Sequence, residues 1–191
     1  MTTAASAVRI GIVAIGAALT LMTGPIQSHA DAPSPLLALV DAAAQRLQTA
    51  DAVAASKWTT GGSIEDPARE QQVVDAVTAA AKDRSVDTGF VQNAFRDQIA
   101  ATVAVEYGLF SEWKLDPASA PLTAPNLSDS RTAIDALNNT MVAEIAGQWA
   151  SLRSPECQRD LATARDAVAA ARNFDDLYRR GLEFATRSYC Q

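Results

Sequence analysis

Histidine is nearly absent from these 191 residues; His29 is the single one. Cysteine is scarce, with only Cys157 and Cys190, and the one adjacent glycine pair, Gly61-Gly62, lacks the spacing of a phosphate-cradling loop. Cations are outnumbered, 16 Lys and Arg against 22 Asp and Glu, for a net charge of −6. Each shortage excludes a class of function. A chain short of positive charge lacks the surface that phosphate neutralisation demands, so nucleic acid is not expected as a partner. Two cysteines cannot form a cysteine-rich zinc site. What the sequence does hold is apolar mass, 48% of its residues, in a length that suits one ordinary domain.

The first thirty residues read as a cleaved secretory signal peptide, residues 1–30, ahead of a single domain over 31–191. Arg9 precedes an apolar run from Ile10 to Met22; Gly24-Pro25 then breaks it, and Ser28-His29-Ala30 puts small residues at the −3 and −1 positions. The run falls short of the roughly 20 residues that span a bilayer. The expectation is a secreted or periplasmic protein with no stable membrane association after cleavage. Cleavage takes away Arg9 and no acid, which leaves 15 basic and 22 acidic residues, net −7. It also takes away His29. The mature chain then has no imidazole, which excludes Ser-His-Asp and Cys-His catalysis and any His-ligated metal. No metal site is expected. Chemistry must run on carboxylates, cations, amides and hydroxyls. In an oxidising compartment a disulfide is the default state of Cys157 and Cys190, with a pair of buried free thiols as the alternative. The loop between them gives a bridge about 3.8 kcal/mol on chain-entropy grounds.

The mature chain predicts helices only, because no stretch sustains a two-residue alternation rich in β-branched residues. Ser34-Pro35 opens a first helix that runs to about Lys57, with Leu36, Val40, Leu47 and Ala54 on one face. A loop covers Thr59 to Ile64. Asp66-Pro67 starts a second helix that reaches about Lys82, and a third runs from near Asp87 to about Trp113. Pro117, Pro121 and Pro125 make residues 114–127 a loop. A fourth helix starts near Ser128 with Ile134, Leu137, Met141, Ile145 and Trp149 on one stripe; a fifth runs from Ser154-Pro155 to about Arg172, and a sixth from about Asp175 to Ser188. A Cys157–Cys190 bridge would join the start of the fifth helix to the end of the sixth, as an antiparallel pair allows. Alanine-rich stretches recur at irregular spacing, which is composition and not a repeat.

Several charges fall where a helix that only packs would not place them. On the third helix, Val91, Phe95, Ile99, Leu109 and Phe110 mark the inward arc at about 100° per residue, and Gln98, Thr102 and Glu106 lie inside it one turn apart. Burying such groups without partners costs roughly 1–3 kcal/mol each. On the first helix, Arg46 and Lys57 share one side, about 16 Å apart along the axis, with Ala50 and Val53 as a small apolar floor between them. Arg131 lies on the line of the fourth helix's apolar stripe, at a helix N-terminus where the dipole opposes a cation, so an anionic partner is expected. The second helix offers Asp66 as its N-cap, then Arg69 and Glu70. The joint picture is cations and hydrogen-bonding groups converging inside a helical bundle as an anion pocket. A satisfied polar network between helices is the structural alternative.

The pattern Arg46, Lys57, Asp66-x-x-Arg69-Glu70, Gln98-Ile99-x-x-Thr102-x-x-x-Glu106 resembles the all-helical AroQ-type chorismate mutases. The leader, the extra C-terminal helices, Arg131 and the Cys157/Cys190 pair are similar to the secreted gamma subclass. The likeness covers about residues 34–190. It implies an all-α, six-helix bundle-like single domain with a disulfide-linked C-terminal helix pair, acting on chorismate without a cofactor, and a homodimer. By position it implies that Arg46 and Arg131 clamp carboxylates, that Lys57 reaches the ether oxygen and a carboxylate, and that Thr102 bonds the ring carboxylate. Glu70, with Asp66 nearby, would hold the ring hydroxyl, and Arg69 would orient the pocket or contact a carboxylate. Two positions depart from many relatives. Glu106 stands where glutamine is common, so it should act protonated, its pKa raised by apolar surroundings against the pull of nearby cations. Val73 stands where some secreted relatives carry glutamine. Three competing readings use the same residues: a lyase removing pyruvate from isochorismate, a secreted helical binding module, and a domain sensing aromatic amino acids.

Overall fold

The computed structural model describes residues 1–3 and 33–190. The expected signal peptide lies outside the described residues but for its first three. The chain divides into two units, Met1–Asp31 and Ala32–Gln191; the second holds every described helix. Its elements are α1 (Leu37–Thr60), α2 (Pro67–Asp83), α3 (Thr88–Leu115), α4 (Leu127–Gly147), α5 (Trp149–Leu152), α6 (Cys157–Ala171) and α7 (Asp176–Ala185). Among the described residues there is no strand.

The starts and stops follow from local chemistry. Asp66 accepts from the Arg69 amide at 3.1 Å with Pro67 in the first turn, and Asp87 accepts from the Phe90 amide at 2.7 Å. Asn126 and Asp175 cap α4 and α7 in the same way. Gly61 ends α1 in the left-handed region at φ 69°, and the Gly62 amide bonds the Lys57 carbonyl at 2.9 Å. A side chain at Gly61 would be strained there, which is why glycine ends this helix. The sequence predicts one helix through Trp149; instead α4 stops at Gly147, and α5 follows as a separate turn. Glycine at this point weakens the helix. Trp149 then packs edge-on against Phe90, with ring centroids 5.1 Å apart.

The α1 helix is the central element and packs on α3, α4, α6 and α7. Its Ala42-Ala43-Ala44 run is buried with Leu39, Leu47 and Ala50, small and large apolar groups alternating so that neighbours approach from several sides. On α3, Val91 and Phe95 are fully buried as expected, whereas Ile99, Leu109 and Phe110 are half-buried. A satellite cluster sets Trp58 against Phe110 and Trp113, with Ala120 and Ala124 of the following loop packed on it.

The α6–α7 hairpin closes one side. Cys157 and Cys190 form a disulfide, Cα atoms 5.7 Å apart, at the hairpin's open end. Polar groups fasten the hairpin to the bundle: Arg172 to Asp41 and Gln48, Tyr178 to Asp51 at 2.6 Å, and Arg187 to Asp97 at 2.6 Å. Gly181 lets α7 lie close, since a Cβ there would stand 3.0 Å from Leu47 and 3.1 Å from Val105. With α7 seated on α3, the opposite side of the α1–α3 pair faces α2 and α4, and a cleft opens there.

Candidate active site

Four helices supply the cleft walls. Arg46, Val53 and Lys57 come from α1; Ile99, Thr102, Val103 and Glu106 from α3; Arg69, Glu70 and Val73 from α2; and Leu127, Arg131 and Ile134 from α4. The turn before α2 adds Ile64 and Asp66. Every residue expected to bind substrate thus lines one hollow. The spacing of 46 and 57 on α1, about three turns, and of 102 and 106 on α3, about one, brings this about, because residues near a whole number of turns apart share a helix face.

At the rear, Lys57 and Glu106 meet. Lys57 Nζ lies 2.7 Å from Glu106 Oε2 and also donates to the Ile64 carbonyl. Their side chains are 14% and 4% exposed. Burial pushes the Glu106 carboxyl above its ordinary range, against the opposing pull of the Lys57 hydrogen bond and charge. That balance is the one the sequence suggests for this position.

Arg46 is as buried as Glu106, each residue 3% exposed. Its Nε donates to Asn138 Oδ1 at 2.6 Å and its Nη1 to Thr102 Oγ1 at 3.3 Å; the Thr102 hydroxyl in turn donates to the Gln98 carbonyl at 2.9 Å. Both partners of Arg46 are neutral. Burial lowers its pKa to about 10, so it stays charged near neutral pH.

The mouth is different. Arg131 donates to Asp66 Oδ2 at 2.9 Å, while Asp66 Oδ1 caps α2, so this aspartate serves as both N-cap and the anionic partner expected for Arg131. Arg69 donates to Asp135 Oδ1 at 2.6 Å.

One polar residue of the α3 arc stands apart from the cleft. Gln98 is fully buried and donates to the Ala43 carbonyl at 3.2 Å, a brace between α3 and α1. Two residues that matter were not found by sequence reasoning. Asn138 orients Arg46, and Asp135 holds Arg69. A signal existed for the first: Asn138-Asn139 puts two poor helix formers in the middle of α4. Asp135, exposed on a helix, gave none.

The cleft therefore offers cations from three helices, a hydroxyl, and a carboxyl biased towards its neutral form. Among the described residues there is no imidazole. Such a set can bind a compact dianion and donate to an oxygen that gains charge.

Comparison with known proteins agrees with this chemistry. The family model described as chorismate mutase type II matches residues 37–107, from the start of α1 into α3. The chain is similar to the secreted chorismate mutase of Mycolicibacterium smegmatis, 58% identical over 176 residues that cover 91% of this chain and 97% of that one. It is also similar to the secreted chorismate mutase of Mycobacterium tuberculosis, 46% identical over 181 residues, 94% of this chain and 91% of the other. Among solved structures, the chorismate mutase from Burkholderia phymatum superposes with a TM-score of 0.78 at 30% identity, covering 83% of this chain and 97% of that one.

Proposed function

The chain belongs to the chorismate mutase family, and on that premise we propose how its cleft converts chorismate to prephenate. The reaction is an intramolecular Claisen rearrangement. An ether C–O bond breaks as a C–C bond forms within the same molecule, and no nucleophile, proton transfer or cofactor is required. The substrate carries two carboxylates, and the ether oxygen gains negative charge in the transition state. An enzyme for this step must hold the compact conformer and stabilise that oxygen.

Arg46 and Arg131 clamp the carboxylates, the planar guanidinium suiting bidentate contact. Lys57 donates to the ether oxygen and a carboxylate. Glu106, its pKa raised by burial, donates to the ether oxygen from the other helix in its acid form. Thr102 bonds the ring carboxylate, Glu70 with Asp66 holds the ring hydroxyl, and Arg69 contacts a carboxylate or orients the pocket. The observation that carries this assignment is the convergence of Arg46, Lys57, Thr102, Glu106 and Arg131 on one hollow. A carboxylate would repel the developing oxyanion, whereas a carboxylic acid beside an ammonium makes two donors.

The relatives' names support secretion of this chain too. No helix among the described residues is long and apolar enough to cross a membrane. A homodimer completes the reading on family likeness, and light scattering of the mature protein tests it. The function itself is tested by mixing residues 31–191 with chorismate and following its absorbance. Conversion to prephenate is expected. Formation of salicylate with pyruvate would mean a lyase, and no conversion a binding module.

A further inference from the structure

The two cations at the mouth are matched by protein carboxylates, and the matching is reciprocal. Arg69 of α2 pairs with Asp135 of α4 at 2.6 Å, and Arg131 of α4 pairs with Asp66, the N-cap of α2, at 2.9 Å. Each side supplies one arginine and one aspartate. All four side chains are partly exposed, from 24% to 53%. Both arginines line the cleft, while Asp135 is not part of its wall.

Ion pairs of this exposure are weak, because water screens them and two long side chains must be held in one geometry. A carboxylate arriving on a ligand can therefore replace an aspartate at little cost, and a bidentate contact to arginine favours the exchange. We propose that Asp135 is a displaceable stand-in for a substrate carboxylate, which holds Arg69 in the empty site and competes with the incoming dianion for it. The inference rests on the reading of the cleft given above. With Asp66 in the parallel position, two ion pairs fasten α2 to α4 across the opening.

Steady-state kinetics of Asp135→Asn with chorismate tests the proposal. Asparagine keeps the size, loses the charge, and sits at an exposed position where the fold is not at stake. The expected result is a KM lower by about two- to fivefold, the range an exposed ion pair commands, with a proportionately smaller change in kcat. Asp135→Glu, which retains a carboxylate, should keep a KM close to that of the wild type. A KM that is unchanged or raised in Asp135→Asn overturns the proposal and leaves Asp135 as a brace for Arg69. A wild-type protein that does not convert chorismate removes the reading of the cleft and this proposal with it. That outcome is distinct from an active wild type whose Asp135→Asn variant shows no fall in KM.

Discussion

The rear and the mouth of the cleft hold positive charge in different settings, one buried and one partly exposed. At the rear, Arg46 is buried and held by the neutral oxygens of Asn138 and Thr102, and Lys57 faces a carboxyl that burial drives towards its neutral form. At the mouth, Arg69 and Arg131 are partly exposed and each meets an aspartate. The rear thus holds its cations on buried partners, Arg46 on neutral oxygens and Lys57 on Glu106, in a setting where little water screens them. The mouth holds its cations on carboxylates that water can reach. Positioning for chemistry belongs to the first region and selective admission to the second.

The comparison breaks most visibly at Lys57. Lys57→Ala removes a donor aimed at the developing charge and should lower kcat by about 10²–10³, the usual loss for one such group. A kcat within tenfold of wild type would mean that the rear does not stabilise the transition state. Asn138→Asp is the next largest change. It gives Arg46 a carboxylate partner and so makes the rear resemble the mouth. Substrate must then break a buried ion pair, and KM should rise by about tenfold or more. An unchanged KM would separate Arg46 from carboxylate binding.

Glu106→Gln sharpens the contrast through pH. Because burial raises the Glu106 pKa, its acid form persists above the ordinary carboxylate range and is lost as pH climbs through the raised value. The wild-type rate should therefore fall with rising pH. Glutamine cannot ionise, so the variant should stay active with a flat profile over the same span. A variant with the wild-type pH dependence would falsify the protonated role. The smallest effect on the cleft is expected from the double substitution Cys157→Ser and Cys190→Ser. Loss of the bridge should cost about 4 kcal/mol of stability and roughly 10 °C in Tm, while kcat/KM stays within about twofold. Calorimetry and kinetics on the same preparation check both parts.

Much of this arrangement was legible in the sequence because helical phase is local. Positions 46 and 57, or 102 and 106, declare a common face from their spacing alone, and Asp66-Pro67 announces both a cap and a helix start. Partners across the bundle are another matter. Arg46 meets Asn138 at a separation of 92 residues, and Arg69 meets Asp135 at a separation of 66. Nothing in a helix's own period names the neighbour it will touch. The same limit explains Gln98. Its phase placed it inward correctly, but inward proved to be the α1 backbone and not the cleft. The break between α4 and α5 falls at Gly147, a local signal, while the seat of Trp149 against Phe90 is a tertiary fact.

The satellite of aromatic rings at the end of α1 gives the molecule an optical gauge of its own. Trp58 follows Lys57 directly in the chain, and two of the three tryptophans, Trp58 and Trp113, share that cluster with ring centroids 5.5 Å apart. Indole emission follows its immediate surroundings, so most of the intrinsic fluorescence reports on the junction of α1 and α3 and less on the molecule at large. Binding beside Lys57 is therefore expected to change the light emitted there, which a titration without any added dye would record.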